Sequence, residues 1–71
     1  MLVVDMKAIK KHIADAGLKQ GYIAERSGMT VNQLSACFNG RRELKASEYA
    51  NLCKALNVSF KFFLRSADKV S

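Results

Sequence analysis

Apolar residues recur at three- and four-residue intervals along most of the chain, and these stretches end at glycine or asparagine. Such spacing places the apolar side chains on one face of an α-helix. No run of alternating polar and apolar residues is long enough to compete as a strand, and the chain has no proline. The pattern therefore predicts short amphipathic helices that cover one another's apolar faces, which is a compact all-α fold.

Turn-forming residues divide the chain into five expected helices within one domain, residues 1–71. The first should open at Asp5, because an aspartate side chain can cap the free amides of a helix start. The third should open at Thr30, since the Thr30 hydroxyl and the Gln33 amide can form a reciprocal capping box. The expected helices cover residues 5–16, 20–27, 30–39, 46–56 and the final turn FKFFL after Ser59, and the first four stop at Gly17, Gly28, Asn39-Gly40 and Asn57.

Charge and length narrow the classes of function. Twelve Lys and Arg against six Asp and Glu give a formal charge of +6, which favours nucleic acid or an anionic membrane surface as a partner. So short a chain has little room for a deep cleft, and it holds no Ser-His-Asp set or glycine-rich phosphate loop. Neither an enzyme nor a cofactor is expected. No apolar run approaches the roughly 18 residues of a membrane span, so a cytoplasmic protein without a membrane partner is expected.

The two cysteines, Cys37 and Cys53, are far apart in sequence, and the chain has a single histidine, His12. Protein zinc sites use closely spaced pairs of ligands, so no metal site is expected. Both thiols are expected to be small buried residues, and His12 is expected to be a polar surface residue.

The third expected helix, in the stretch TVNQLSACFNGRR, has an uncharged outer surface. At about 100° per residue, Asn32, Ser35 and Ala36 lie opposite the inward-facing Leu34. Asparagine can bond bidentately to adenine in the major groove, and a short neighbour such as alanine permits close approach or touches a thymine methyl. This surface therefore suits a base edge, and a plain polar surface is the alternative interpretation.

Between Leu18 and Leu64 the chain also carries a characteristic series of residues. The series is Gln20, Ile23, Ala24, Gly28, Met29, Leu34, Cys37, the Asn39-Gly40-Arg41 exit, and Ala55-Leu56 followed by Val58-Ser59. In this order the stretch resembles the helix-turn-helix domain of the phage repressor and Cro class, also called the Xre class. The resemblance places the motif at residues 20–40, where Ala24 lets two helices cross closely and Gly28 forms the turn.

This resemblance implies that the chain binds double-stranded DNA, with the second helix of the motif in the major groove. The base-reading residues would then be Val31, Asn32, Ser35 and Ala36. The DNA backbone would be contacted by Gln20, Thr30, Arg41, Arg42, Lys19 and Lys45. Glu43 is the only opposing charge expected near the Arg pair, and Lys19 stands where the family often places a capping Ser or Thr.

The C-terminal aromatic segment, residues 59–64, can turn only part of its apolar set inward. Phe63 and Leu64 are expected in the core, with Phe60 or Phe62 near the surface. Family members commonly form two-fold dimers through this region, so the resemblance implies a homodimer with Phe60 and Phe62 as a possible contact. The alternative is that all four residues close the core.

The expected function is a sequence-specific transcriptional regulator, a repressor, that binds a pseudo-palindromic operator as a dimer in a bacterial or phage-infected cell. Two alternatives stay open. One is a protein-interaction or antitoxin-like module that uses the same fold as a scaffold. The other is a non-specific nucleic-acid or RNA binder, although the reading surface lacks the exposed aromatic residues on which single strands stack.

Overall fold

The computed structural model describes residues 2–66, and two short strands bring the two ends of this range together. Between the strands lie four helices joined by short connections. In chain order the elements are β1 (Leu2–Val4), α1 (Met6–Asp15), α2 (Gln20–Arg26), α3 (Val31–Phe38), α4 (Ala46–Leu56) and β2 (Leu64–Ser66).

The helix boundaries follow local signals. Asp5 caps α1, because its Oδ1 accepts the backbone N–H of Ala8 at 3.1 Å. Asn57 ends α4 in the left-handed conformation with φ of 58°, which asparagine tolerates better than most residues. Lys19 precedes α2 without a side-chain cap, as its chemistry predicts. The four helices thus begin and end within about two residues of their predicted bounds.

The prediction of an all-α fold with five helices is wrong at both ends of the described chain. After Ser59 the backbone makes turns, in which the N–H of Phe62 donates to the carbonyl of Ser59 at 3.0 Å, and it then enters β2. Strand β2 runs antiparallel to β1, with Leu2 opposite Ser66 and Val4 opposite Leu64. A helix of one turn would leave most of its backbone groups unbonded. In the observed structure the carbonyl of Phe63 accepts the N–H of Asp5 at 2.8 Å, and Leu64 pairs with Val4.

The core lies where the four helices meet the turn before β2. The fully buried side chains of this core include at least one from every helix: Ile9, Ile23, Ala24, Leu34, Tyr49 and Leu52. Cys37 and Cys53 are buried free thiols, as predicted. Within residues 2–66 no three His, Cys, Asp or Glu side chains are grouped to hold a metal ion, and no helix there is long and apolar enough to cross a membrane.

His12 is not the plain surface residue that was expected. Its imidazole is half-buried and lies edge-on to two aromatic rings, with centroid distances of 5.7 Å to Phe62 and 5.6 Å to Phe63. Phe63 is buried and Leu64 is half-buried, in line with the prediction for the aromatic segment, while Phe60 and Phe62 are 53% and 56% exposed. Helix α1 therefore packs through His12 against the aromatic segment, in which the Phe60 and Phe62 rings are exposed.

Candidate nucleic-acid interface

Helices α2 and α3 are joined by a tight turn built from residues 27–30. The Ser27 hydroxyl is buried and donates to the carbonyl of Ile23 at 2.7 Å, which satisfies it inside the core. Gly28 takes φ of +80°, a conformation that glycine adopts at little cost. The N–H of Met29 donates to the carbonyl of Ala24 at 2.9 Å, and both side chains are buried. The turn therefore fixes the direction in which α3 leaves α2.

The start of α3 is held by the predicted capping box. The N–H of Gln33 donates to Oγ1 of Thr30 at 3.1 Å, and the N–H of Thr30 donates to Oε1 of Gln33 at 3.0 Å. Two backbone donors that a helix start leaves free are thereby satisfied. These two bonds hold the first turn of α3 in place. The side-chain oxygen of Gln33 already accepts a backbone N–H.

The outer surface of α3 carries the four residues predicted to read bases. Val31 and Asn32 in the first turn are exposed, and Ser35 and Ala36 in the second turn are half-buried. On the opposite side Leu34 and Cys37 are buried. The helix thus presents one uncharged surface of small side chains to the outside, and its inward face fixes that surface against the core.

Basic residues lie on the connections that flank this surface. Arg41 is exposed, and its N–H donates to the carbonyl of Ala36 at 2.9 Å, so it directly continues the end of α3. Lys45 is exposed immediately before α4, and Lys19 is exposed immediately before α2. Gln20, the first residue of α2, is half-buried beside Leu18 at a shallow cavity of about 160 Å³.

Unlike the exposed Arg41, Arg42 is half-buried, and it forms an ion pair with Glu48 of α4. Its Nη1 and Nη2 donate to Oε1 and Oε2 of Glu48 at 2.9 and 2.8 Å, which is the bidentate geometry of a guanidinium on a carboxylate. The same Nη1 lies 3.4 Å from the sulfur of Met29 and 3.5 Å from that of Cys37. Arg42 therefore links α4 to both α3 and the turn at residues 27–30.

The two partners alter each other's ionisation. The hydrogen bonds from Arg42 lower the pKa of Glu48 to about 2, against the opposing effect of burial, and the N–H of Lys45 adds a further bond at 3.0 Å. The same contacts raise the pKa of Arg42 above its ordinary range. Both groups are thus fully charged over the whole pH range in which the protein would meet DNA.

Comparison with protein families finds one described as "Helix-turn-helix", whose model matches residues 9–63. The chain belongs to this helix-turn-helix family. The family is typical of Xre and phage repressor-like regulators, so the protein is a DNA-binding regulator of this general kind, in a family that is generally non-enzymatic. The chain matches none of the curated proteins with which it was compared.

The helix-turn-helix domain contains one important contact that the sequence did not reveal. Glu43 was expected to be the only acidic group near the Arg pair, but the partner of Arg42 is Glu48, in the first turn of α4. An acidic residue in the first turn of a helix is favoured by the helix dipole alone, so Glu48 gave no sequence signal of this contact. The phosphate contact predicted for Arg42 stays untested, and in this structure its guanidinium is bonded within the protein.

Glu48→Gln is expected to reduce the acid sensitivity of the fold. With a pKa of about 2 in the folded protein against an ordinary value of 4.5, ionised Glu48 stabilises the fold fully above about pH 4.5. This contribution is lost as the pH falls from 4.5 towards 2, so wild-type protein should lose stability more steeply in that window than the variant. Thermal unfolding at closely spaced pH values measures both slopes.

Glu43→Gln is the matched control, because the Glu43 side chain is exposed and bonds to none of residues 2–66. Its slope should equal that of the wild type. Some acid sensitivity should persist in every variant, since the N–H of Ala8 also lowers the pKa of Asp5. Equal slopes for Glu48→Gln and wild type would contradict the stabilising role of the ion pair.

Proposed function

We propose that the protein is a sequence-specific transcriptional repressor that reads double-stranded DNA with Val31, Asn32, Ser35 and Ala36. The observation that carries this proposal is the uncharged outer surface of α3, which a capping box and a buried inner face hold in one orientation. Small neutral side chains can approach base edges, and amide groups can bond to them.

Affinity would come from residues around that surface rather than on it. Exposed Lys19 lies on the connection before α2, and exposed Arg41 and Lys45 lie on the connection between α3 and α4, where phosphates would pass if α3 lay in the major groove. Gln20 and Thr30 sit at the starts of α2 and α3, where backbone amides and the helix dipole favour an anion. Arg42 would act indirectly, since its bonds to Glu48 position the loop that carries Arg41.

A homodimer is part of this proposal, with Phe60 and Phe62 as the contact. Both rings are more than half exposed; the Phe62 ring lies beside His12 and Phe63, and the Phe60 ring lies beside Tyr49. Exposed apolar side chains that form a contiguous patch mark interaction surfaces more often than isolated ones do. A two-fold dimer would bind two half-sites about 34 Å apart on a pseudo-palindromic operator.

Selection from random duplex DNA at about 0.15 M salt tests the proposal directly. The selected duplexes should share a short motif repeated with two-fold symmetry. Binding without any enriched motif would contradict sequence-specific reading and would favour the non-specific binder. Binding to single-stranded or RNA probes alone would contradict a double-stranded DNA target.

Two alanine substitutions should separate base reading from phosphate contact. Asn32→Ala should cost about 1 to 3 kcal/mol on the selected site and relax one base position, because a bidentate contact to a base is lost. Arg41→Ala should weaken all duplexes alike and reduce the slope of log affinity against log salt by about one. Affinities on the selected and a scrambled duplex at several salt concentrations measure both effects.

Each substitution has a control of the same chemistry on α4. Asn51→Ala removes an exposed amide there, and Lys54→Ala removes an exposed positive charge near the end of that helix. Neither should change the preferred sequence. If Asn32→Ala left that preference intact, Asn32 would not be a reader.

A protein-interaction or antitoxin-like module is the second candidate function, and the exposed Phe60 and Phe62 rings favour it. In that case the double Ala variant at these positions would abolish the biological activity, while Asn32→Ala would leave it intact. A repressor would lose activity through both.

A further inference from the structure

The chemistry available on α3 suits A·T base pairs better than G·C pairs. The helix has the sequence VNQLSACF, without Arg, Lys, Asp or Glu. Guanine is most often read by Arg or Lys, and the amino group of cytosine by Asp or Glu. Because the Gln33 oxygen accepts the N–H of Thr30, the first turn keeps one amide for bidentate bonding, that of Asn32. Bidentate pairing with adenine is the contact that such an amide makes best.

Val31 is the apolar group on this surface that nothing in the described structure covers. Its side chain is 47% exposed, although the neighbouring apolar residues of α3 are buried or half-buried. The capping box on either side of Val31 fixes the backbone of this turn, so the isopropyl group has a defined position. Consecutive side chains of a helix point about 100° apart around its axis. The side chains of Val31 and Asn32 therefore point in different directions and can reach neighbouring base pairs.

We infer that Val31 contacts the 5-methyl group of a thymine next to the adenine that Asn32 reads. Each operator half-site then contains an A·T-rich step, which the first turn of α3 contacts. This inference rests on the proposed function. The methyl group is the one apolar feature of the major-groove edge, and contact with it removes apolar surface from water on both sides. The half-buried methyl of Ala36, one turn further on, borders the same area and leaves room for the bases to approach.

Replacing thymine with uracil tests the contact, since uracil lacks only the methyl group and keeps the same hydrogen-bonding edge. In the duplex selected from random DNA, each thymine of a half-site is replaced in turn and the affinity is measured by titration. One position should bind about fourfold more weakly with uracil, as expected for the loss of one buried methyl group. Val31→Ala should abolish this thymine preference there, and Asn32→Ala should keep it.

Val3→Ala is the control, because Val3 is another exposed valine but lies on β1, and it should retain the full thymine preference. Circular dichroism should show that Val31→Ala melts like wild type, since the change is on an exposed helix surface. Equal affinity for thymine and uracil at every position would overturn the inference, and so would a preference that persists in Val31→Ala. Selection without an enriched motif would instead remove the proposed function, so the two failures can be told apart.

Discussion

Tyr49→Phe is expected to lower the free energy of unfolding by about 2 to 4 kcal/mol, although it removes a single oxygen atom. Tyr49 is 2% exposed, and its hydroxyl donates to the carbonyl of Phe60 and accepts the N–H of Phe63 at 3.3 Å. Phenylalanine would fill the same space but leave both backbone groups without these partners. A buried group left unpaired costs about 1 to 3 kcal/mol, and the loss at the Phe60 carbonyl is the smaller of the two because the Cys53 sulfur still lies 3.9 Å from it.

Thermal unfolding should show this loss as a midpoint lower by at least about 10 °C in so small a domain. Tyr22→Phe is the matched control, since Tyr22 lies on α2 with 47% of its surface exposed, and its midpoint should stay close to that of the wild type. Midpoints for Tyr49→Phe and Tyr22→Phe that agree within about 2 °C would show that the Tyr49 hydroxyl is not needed to hold the segment before β2.

The same hydroxyl also makes the stability of the fold depend on pH in the alkaline range. Burial raises the pKa of Tyr49 to about 12 from an ordinary value of 10. The unfolded chain therefore loses this proton first, and the stabilising contribution is present below pH 10 and lost as the pH rises from 10 towards 12. Wild-type protein should lose stability more steeply than Tyr49→Phe across that window.

Features that depend on neighbouring residues could be predicted from the sequence. The capping box at Thr30 needs only Gln33 three residues later, and the left-handed end of α4 needs only Asn57. The inner and outer sides of α3 followed from the position of Leu34, because helical geometry fixes where the other side chains point. These local rules placed the candidate reading surface before any tertiary contact was known.

Features that depend on contacts between distant residues could not be predicted. Strand β1 has three residues, and its partner β2 lies about sixty residues further along the chain, so neither strand has a pattern long enough to read. The pairing of Arg42 with Glu48 likewise depends on the direction in which α4 leaves the loop, which no local signal gives. The stacking of His12 against Phe62 and Phe63 arises only once the turn before β2 returns to α1.

The largest functional effect is expected from replacing both Phe60 and Phe62 with alanine. If these rings form the dimer contact, the double variant should sediment as a monomer and bind the full operator about 10²- to 10⁴-fold more weakly, because the second half-site is no longer engaged by a linked subunit. Its affinity for an isolated half-site should be unchanged, since neither ring lies on α3. Sedimentation mass and titrations of full and half operators measure the three quantities.

Packing within the protomer must be separated from association. The Phe60 ring lies 4.8 Å from that of Tyr49, and the Phe62 ring lies 4.9 Å from that of Phe63 and 5.7 Å from that of His12, so the loss of either ring also removes an internal contact. Each single Ala variant should therefore melt at a somewhat lower temperature and, while still folded, form a weaker dimer. Tyr22→Ala, which removes an exposed ring from α2, should leave the mass unchanged. A double variant that still sediments as a dimer would place the subunit contact elsewhere. Equal losses on full and half operators would mean that the aromatic segment acts on the fold of the reading helix rather than on its pairing.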